Sequence, residues 1–154
     1  RVEADELSYN IHIILRFELE QALLNGDLPA KDLPAAWNDK MRAYLGLVPP
    51  NDRLGCLQDI HWSLVGFGYF PTYALGNLYA AQFYEAALRH NPGLETQLAA
   101  GQITGLLEWL RENIHQYGRA LSPSELVILA TGRKLDHHAF VRYANDKYSR
   151  LYAA

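Results

Sequence analysis

From Val2 to about Asn25 the sequence carries one continuous helical pattern, which restricts the chain to folds that can bury a long helix on several sides. Leu7, Ile11, Ile14, Leu15 and Leu19 recur at helical spacing on one face, and Ile13, Phe17 and Leu23 widen the apolar band. Gly26 supplies the stop, because glycine takes the left-handed conformation that closes a helix. A second helix is predicted from about Asp32, with Pro34 in its first turn, where a missing N–H does no harm. Gly46 closes it, and Pro49-Pro50-Asn51-Asp52 forms a rigid turn. Further helices are predicted over 72–90 and 94–100, from a Thr104 cap toward Gly118, and after an Asp136 cap. Ser122-Pro123-Ser124-Glu125 reads as a capping box, with Leu121 and Leu126 as its staple. No strand alternation and no internal repeat interrupts this reading. The expectation is an all-α, multi-helix fold, one domain over residues 1–154, with one long aromatic and glycine-bearing loop.

That loop occupies about Leu54–Thr72, with a short helical turn near Gln58–Trp62. Its core, Gln58–Tyr73, reads QDIHWSLVGFGYFPTY. A surface loop is ordinarily polar, whereas this one brings a histidine, a tryptophan and two tyrosines into an apolar stretch. Such a loop is either buried or lines a pocket, where imidazole and phenol groups can do chemistry.

Composition removes several function classes. A net charge of −3 and scattered basic residues give no electrostatic case for nucleic acid. No apolar run approaches the roughly 20 residues of a membrane span. Cys56 is the only cysteine, so the fold does not rely on an internal disulfide, and a cytoplasmic setting is expected. The chain opens on Arg1, and is expected to be a piece of a longer polypeptide.

Metal chemistry is the first candidate to test, since six histidines and seventeen carboxylates would be enough to build a site. A helical zinc protease site needs two histidines four residues apart with a glutamate between them. No pair among His12, His61, His90, His115, His137 and His138 has that spacing. His137 and His138 are expected to point in different directions on an exposed first helical turn. A phosphate-binding glycine loop, a CxxC and a GxSxG are also absent. The chain alone therefore shows no complete catalytic set and is expected to hold no metal.

Gln58-Asp59-Ile60-His61-Trp62, then Gly68-Tyr69-Phe70-Pro71-Thr72-Tyr73 and Leu75-Gly76-Asn77, resemble the signature of the carboxypeptidase Taq family of zinc metallocarboxypeptidases. Arg1-Val2-Glu3-Ala4-Asp5-Glu6-Leu7-Ser8-Tyr9-Asn10 resembles a second family motif, and Asp32–Asn38 and Asn113-Ile114-His115 also match in order. Trp62-Ser63-Leu64-Val65-Gly66 departs from the more glycine-rich loop of the family. The resemblance implies the C-terminal part of a larger helical metallopeptidase fold. The HEXXH motif and its downstream glutamate ligand would lie in a missing N-terminal region. Neither motif occurs in this sequence. The implied activity is stepwise release of C-terminal residues from peptides, with zinc or another divalent metal in the full-length parent and a homo-oligomeric assembly. A non-catalytic helical interaction or dimerisation domain descended from that family is the alternative.

The resemblance also assigns roles. Tyr73, Tyr69 and His61 are expected to donate hydrogen bonds to the oxyanion formed when a zinc-bound water attacks the scissile carbonyl. A tyrosine hydroxyl suits that task, being neutral at pH 7 and a good donor. Arg1 is expected to hold the substrate's terminal carboxylate through a bidentate fork. Asp59 either orients the His61 imidazole or caps a helix. His12, Tyr9, Trp37, Trp62 and Trp109 are expected to serve packing.

Overall fold

Asp5 organises the entry to the first helix of the computed structural model, which describes residues 5–152. Its carboxylate accepts the Ser8 amide and hydroxyl at 2.8 and 2.6 Å, and its carbonyl accepts the Tyr9 amide at 3.0 Å. Helix α1 then runs Tyr9–Asn25 and ends on Gly26, which sits at φ 81° and caps two carbonyls of the last turn. The start expected at Val2 lies outside the described residues, but the helix expected over residues 5–8 does not form: Glu6, Leu7 and Ser8 make a turn and α1 begins only at Tyr9. The apolar band of α1 is only partly covered: Ile13, Leu15 and Leu19 are buried, while Ile14 and Phe17 stay substantially exposed.

Helix α2 spans Leu33–Leu45, with Pro34 in its first turn and Gly46 as a left-handed cap, as the sequence indicates. The stretch read as mainly loop is more structured than expected. It contains 3-10 turns at Asp52–Leu54, Cys56–Gln58 and Trp62–Leu64, after which α3 begins at Phe70 and continues to His90. Helices α4 (Leu94–Ala99), α5 (Thr104–Asn113), α6 (Pro123–Thr131) and α7 (His138–Tyr152) complete the order, and no strand occurs among the described residues. Thr104, expected as a cap, is the first residue of α5. The backbone at Ile103 is already helical there, and no side chain bonds the exposed amides. The Ser122–Glu125 capping box forms with both reciprocal bonds.

The chain divides into two compact units between Leu75 and Gly76. In the first, Leu15 and Leu19 of α1 pack with Trp37 and Met41 of α2 and with Cys56, and Leu33, Leu45 and Trp62 close around them. In the second, Ala86 and Ala87 of α3 pack with Leu94 and Trp109. A buried amide also joins three elements of that second unit. Gln82 of α3 donates to Thr131 Oγ1 at 3.0 Å and to the Lys134 carbonyl at 3.1 Å, and accepts the Asp136 amide at 3.1 Å. One helical turn on, the Glu85 carboxylate receives Arg133 and, at 2.7 Å, Arg142. His137 and His138 do not diverge as expected. Their rings stack with centroids 4.2 Å apart, because His137 precedes α7 and is free of helical side-chain geometry.

Candidate functional site

Three polar residues interrupt the apolar band of α1 at intervals of four: His12, Arg16 and Glu20. All three are buried. Four residues bring a helix back to nearly the same face, so they form one polar stripe. The first unit then brings the aromatic loop onto this stripe.

Arg16 Nε donates to Asp59 Oδ2 at 2.7 Å, and Arg16 Nη1 donates to the His12 carbonyl at 2.8 Å. Asp59 Oδ1 accepts the His61 backbone amide at 3.0 Å and also pairs with His61 Nδ1. Asp59 therefore makes a local turn and orients the imidazole; it caps no helix, since the 3-10 turn at Trp62–Leu64 has no side-chain cap bond. Burial pushes the Asp59 carboxyl upward, but the His61 bonds and the Arg16 guanidinium outweigh it and hold the group below the usual carboxylate range. Asp59 is thus ionised at neutral pH and can only accept hydrogen bonds, which places the proton of the imidazole on Nδ1.

The other ring nitrogen, His61 Nε2, lies 2.9 Å from the Tyr73 hydroxyl. With neutral His61, Nε2 is an acceptor and takes a hydrogen bond from the Tyr73 O–H. With imidazolium, Nε2–H donates to the Tyr73 oxygen, and the phenolic proton is released to donate elsewhere. Burial, with Tyr69, Tyr9 and Asp59 nearby, pushes the Tyr73 hydroxyl above the usual tyrosine range, so it keeps its proton. Tyr69 stacks on His61 with centroids 5.7 Å apart and meets Tyr73 edge-on at 5.3 Å. Its ring is half exposed. His61, Tyr69 and Tyr73 are therefore brought together, whereas Arg1 lies outside the described residues.

Glu20 is the residue that sequence reasoning missed. It is 2% exposed, accepts the Trp62 indole N–H at 3.3 Å and accepts the Gly68 amide at 2.9 Å. One carboxylate on α1 thus holds both ends of the loop that follows His61. Between those ends, Gly66 donates to the His61 carbonyl at 2.7 Å, and a Cβ placed on Gly66 would lie 3.0 Å from that oxygen. Trp62 packs edge-on against Trp37 and Phe70, which supports the packing role expected for it. The signal that could have identified Glu20 and Arg16 was the four-residue spacing of charged groups inside an apolar band.

No group of three or more His, Cys, Asp or Glu is placed to hold a metal ion among the described residues. No described helix is long and apolar enough to cross a membrane.

A family model described as Carboxypeptidase Taq (M32) metallopeptidase matches residues 1–148. Thermostable carboxypeptidase 1 of Thermus thermophilus is 47% identical over 152 residues, covering 99% of this chain and 30% of that protein. Carboxypeptidase 1 of Bacillus subtilis is 43% identical over 152 residues, with the same coverage. Among solved structures, the M32 carboxypeptidase from Deinococcus radiodurans R1 superposes with a TM-score of 0.94 at 44% identity, covering 99% of this chain and 31% of that one. The Trypanosoma cruzi metallocarboxypeptidase 1 gives 0.90 at 40% identity, covering 96% and 31%. The chain thus spans about 30% of the length of the curated relatives it matches.

Proposed function

Since the chain belongs to the carboxypeptidase Taq (M32) metallopeptidase family, we propose that it forms the substrate-binding and transition-state-stabilising part of a metal-dependent carboxypeptidase that releases C-terminal residues from peptides. The observation that carries this reading is the ordered series Asp59–His61–Tyr73, ending in a hydroxyl whose single proton is controlled by an imidazole.

The family description implies a divalent metal. The described residues do not fit one, because they offer no ligand set. In this reading zinc or another divalent ion is held by other polypeptide, and the chain's own residues act on the substrate's oxygen and terminus. As the scissile carbonyl oxygen gains negative charge, it becomes a stronger acceptor for the Tyr73 hydroxyl, which lies against His61 Nε2. Tyr73 then turns its O–H from Nε2 to the oxyanion, while Asp59 holds the imidazole in place through Nδ1. Tyr69 flanks the imidazole as a second donor. Arg1 takes the peptide's terminal carboxylate, a role supported by the resemblance of its motif. The exposed apolar side chains Leu57, Ile60, Leu64 and Val65 support a face covered by the rest of the carboxypeptidase, itself a homo-oligomer. A cytoplasmic location, in keeping with a single buried free cysteine, completes the reading.

The test is Tyr73→Phe in the longer carboxypeptidase that contains this chain. The expected result is a fall in kcat of about 10²-fold or more with little change in KM, as for loss of one oxyanion donor. An unchanged kcat would remove Tyr73 from the reaction.

A further inference from the structure

Beside Arg16 lies a cavity of about 240 Å³ that the proposed reaction does not use. Its wall is mostly apolar, with Met41, Leu47, Val48 and Leu54 beside the Trp37 ring, and its polar members include Arg16 and Gln58. One donor here is buried without a partner among the described residues, and a guanidinium lies beside it. Trp37 is 2% exposed, and its indole N–H is buried without an acceptor. Arg16, which also lines the cavity, gives Nε to Asp59 and Nη1 to the His12 carbonyl. The guanidinium carbon sits 4.9 Å from the centroid of the Trp37 ring, so the two donors are neighbours. Buried donors are paired in nearly all proteins, and an orphan beside a cavity marks the place of an absent acceptor.

We propose that this cavity is a binding site for a small neutral carbonyl compound with a branched aliphatic body, of the primary amide class. The apolar wall takes the aliphatic body, and the carbonyl oxygen accepts from Trp37 Nε1 and the Arg16 guanidinium. The Gln58 side-chain amide offers both a donor and an acceptor to the ligand's own NH₂ and oxygen. Charge decides between a carbonyl and a carboxylate. The positive charge of Arg16 is already matched by Asp59, and no Lys, Asp or Glu and no second Arg lines the cavity. A carboxylate would set an uncompensated negative charge against a mostly apolar wall, whereas a neutral oxygen satisfies the same donors without it. The site is independent of the carboxypeptidase reading, since it uses none of His61, Tyr69 or Tyr73.

The test is a titration of the ¹⁵N-labelled chain with 4-methylpentanamide, followed at the indole N–H signals of its three tryptophans. The Trp37 signal is identified by its loss in Trp37→Phe, or by elimination with Trp62→Phe and Trp109→Phe should the first variant not fold. It is expected to shift saturably at millimolar ligand, with 4-methylpentanoate at least about fivefold weaker. A Trp37 signal that stays fixed up to about 50 mM amide would overturn the proposal, leaving a cavity that holds only water. A carboxylate that binds as tightly as the amide would overturn it equally.

Discussion

Arg16 Nε and Asp59 Oδ2 are 2.7 Å apart, joining the middle of α1 to the residue that orients His61. Both side chains are about nine-tenths buried, so this pair is shielded from the solvent that weakens surface ion pairs. Removing one partner leaves the other charge buried and alone. Asp59→Asn is expected to destabilise the fold by about 3 kcal/mol at pH 7, measured by urea unfolding.

The same variant should change the acid limb of stability. The Asp59 carboxyl is held below its ordinary range in the folded chain, so the folded state binds that proton less readily than the unfolded one. Its contribution is complete above about pH 4, the ordinary aspartate value, and drains away as pH falls through the folded-state value. The difference in stability between the parent chain and Asp59→Asn should therefore shrink as pH falls below about 4. A difference that stays constant to the acid limit would show that the pair carries no such linkage.

Glu20→Leu removes the acceptor shared by the Trp62 indole and the Gly68 amide. Two partly buried donors are then left unpaired, at about 1–3 kcal/mol each. The expected loss is about 2–4 kcal/mol, together with a change in Trp62 fluorescence. Glu20→Gln keeps an oxygen acceptor in place and should lose markedly less.

Val65 occupies the left-handed region at φ 58°, ψ 27°, with its side chain 81% exposed. A β-branched residue is strained there by about 1–2 kcal/mol, and exposure returns little packing in exchange. Glycine removes that strain but has more unfolded-state freedom to lose, so Val65→Gly is expected to stabilise by about 0.5–1 kcal/mol. Thermal unfolding would check this, and a lower Tm would contradict it. The strain also gives physical content to the departure of Trp62–Gly66 from a more glycine-rich loop.

The parts of this fold that were legible in the sequence are those decided within one helical turn. Ser122 and Glu125 find each other three residues apart, and Gly26 and Gly46 end α1 and α2 by their own backbone freedom. Glu20 was not legible in that way. Its donors lie 42 and 48 residues away, so its place inside the apolar band hints at burial without showing what it holds. Arg16 was hidden for the same reason, since only the loop's return to α1 gives its charge a partner. His61, Tyr69 and Tyr73 were named through a family resemblance. The fold adds the order of their bonds, with Asp59 behind the imidazole and the phenol in front.

The proposed function makes His61 and Tyr73 one unit acting on the substrate's oxygen. It is tested most directly by kcat for His61→Gln, Tyr73→Phe and the double variant in the longer carboxypeptidase. If the imidazole works by controlling the phenolic proton, the double variant should be no slower than the worse single one, a non-additivity of about 2 kcal/mol or more. Effects on kcat that simply multiply would show two independent residues and contradict the account.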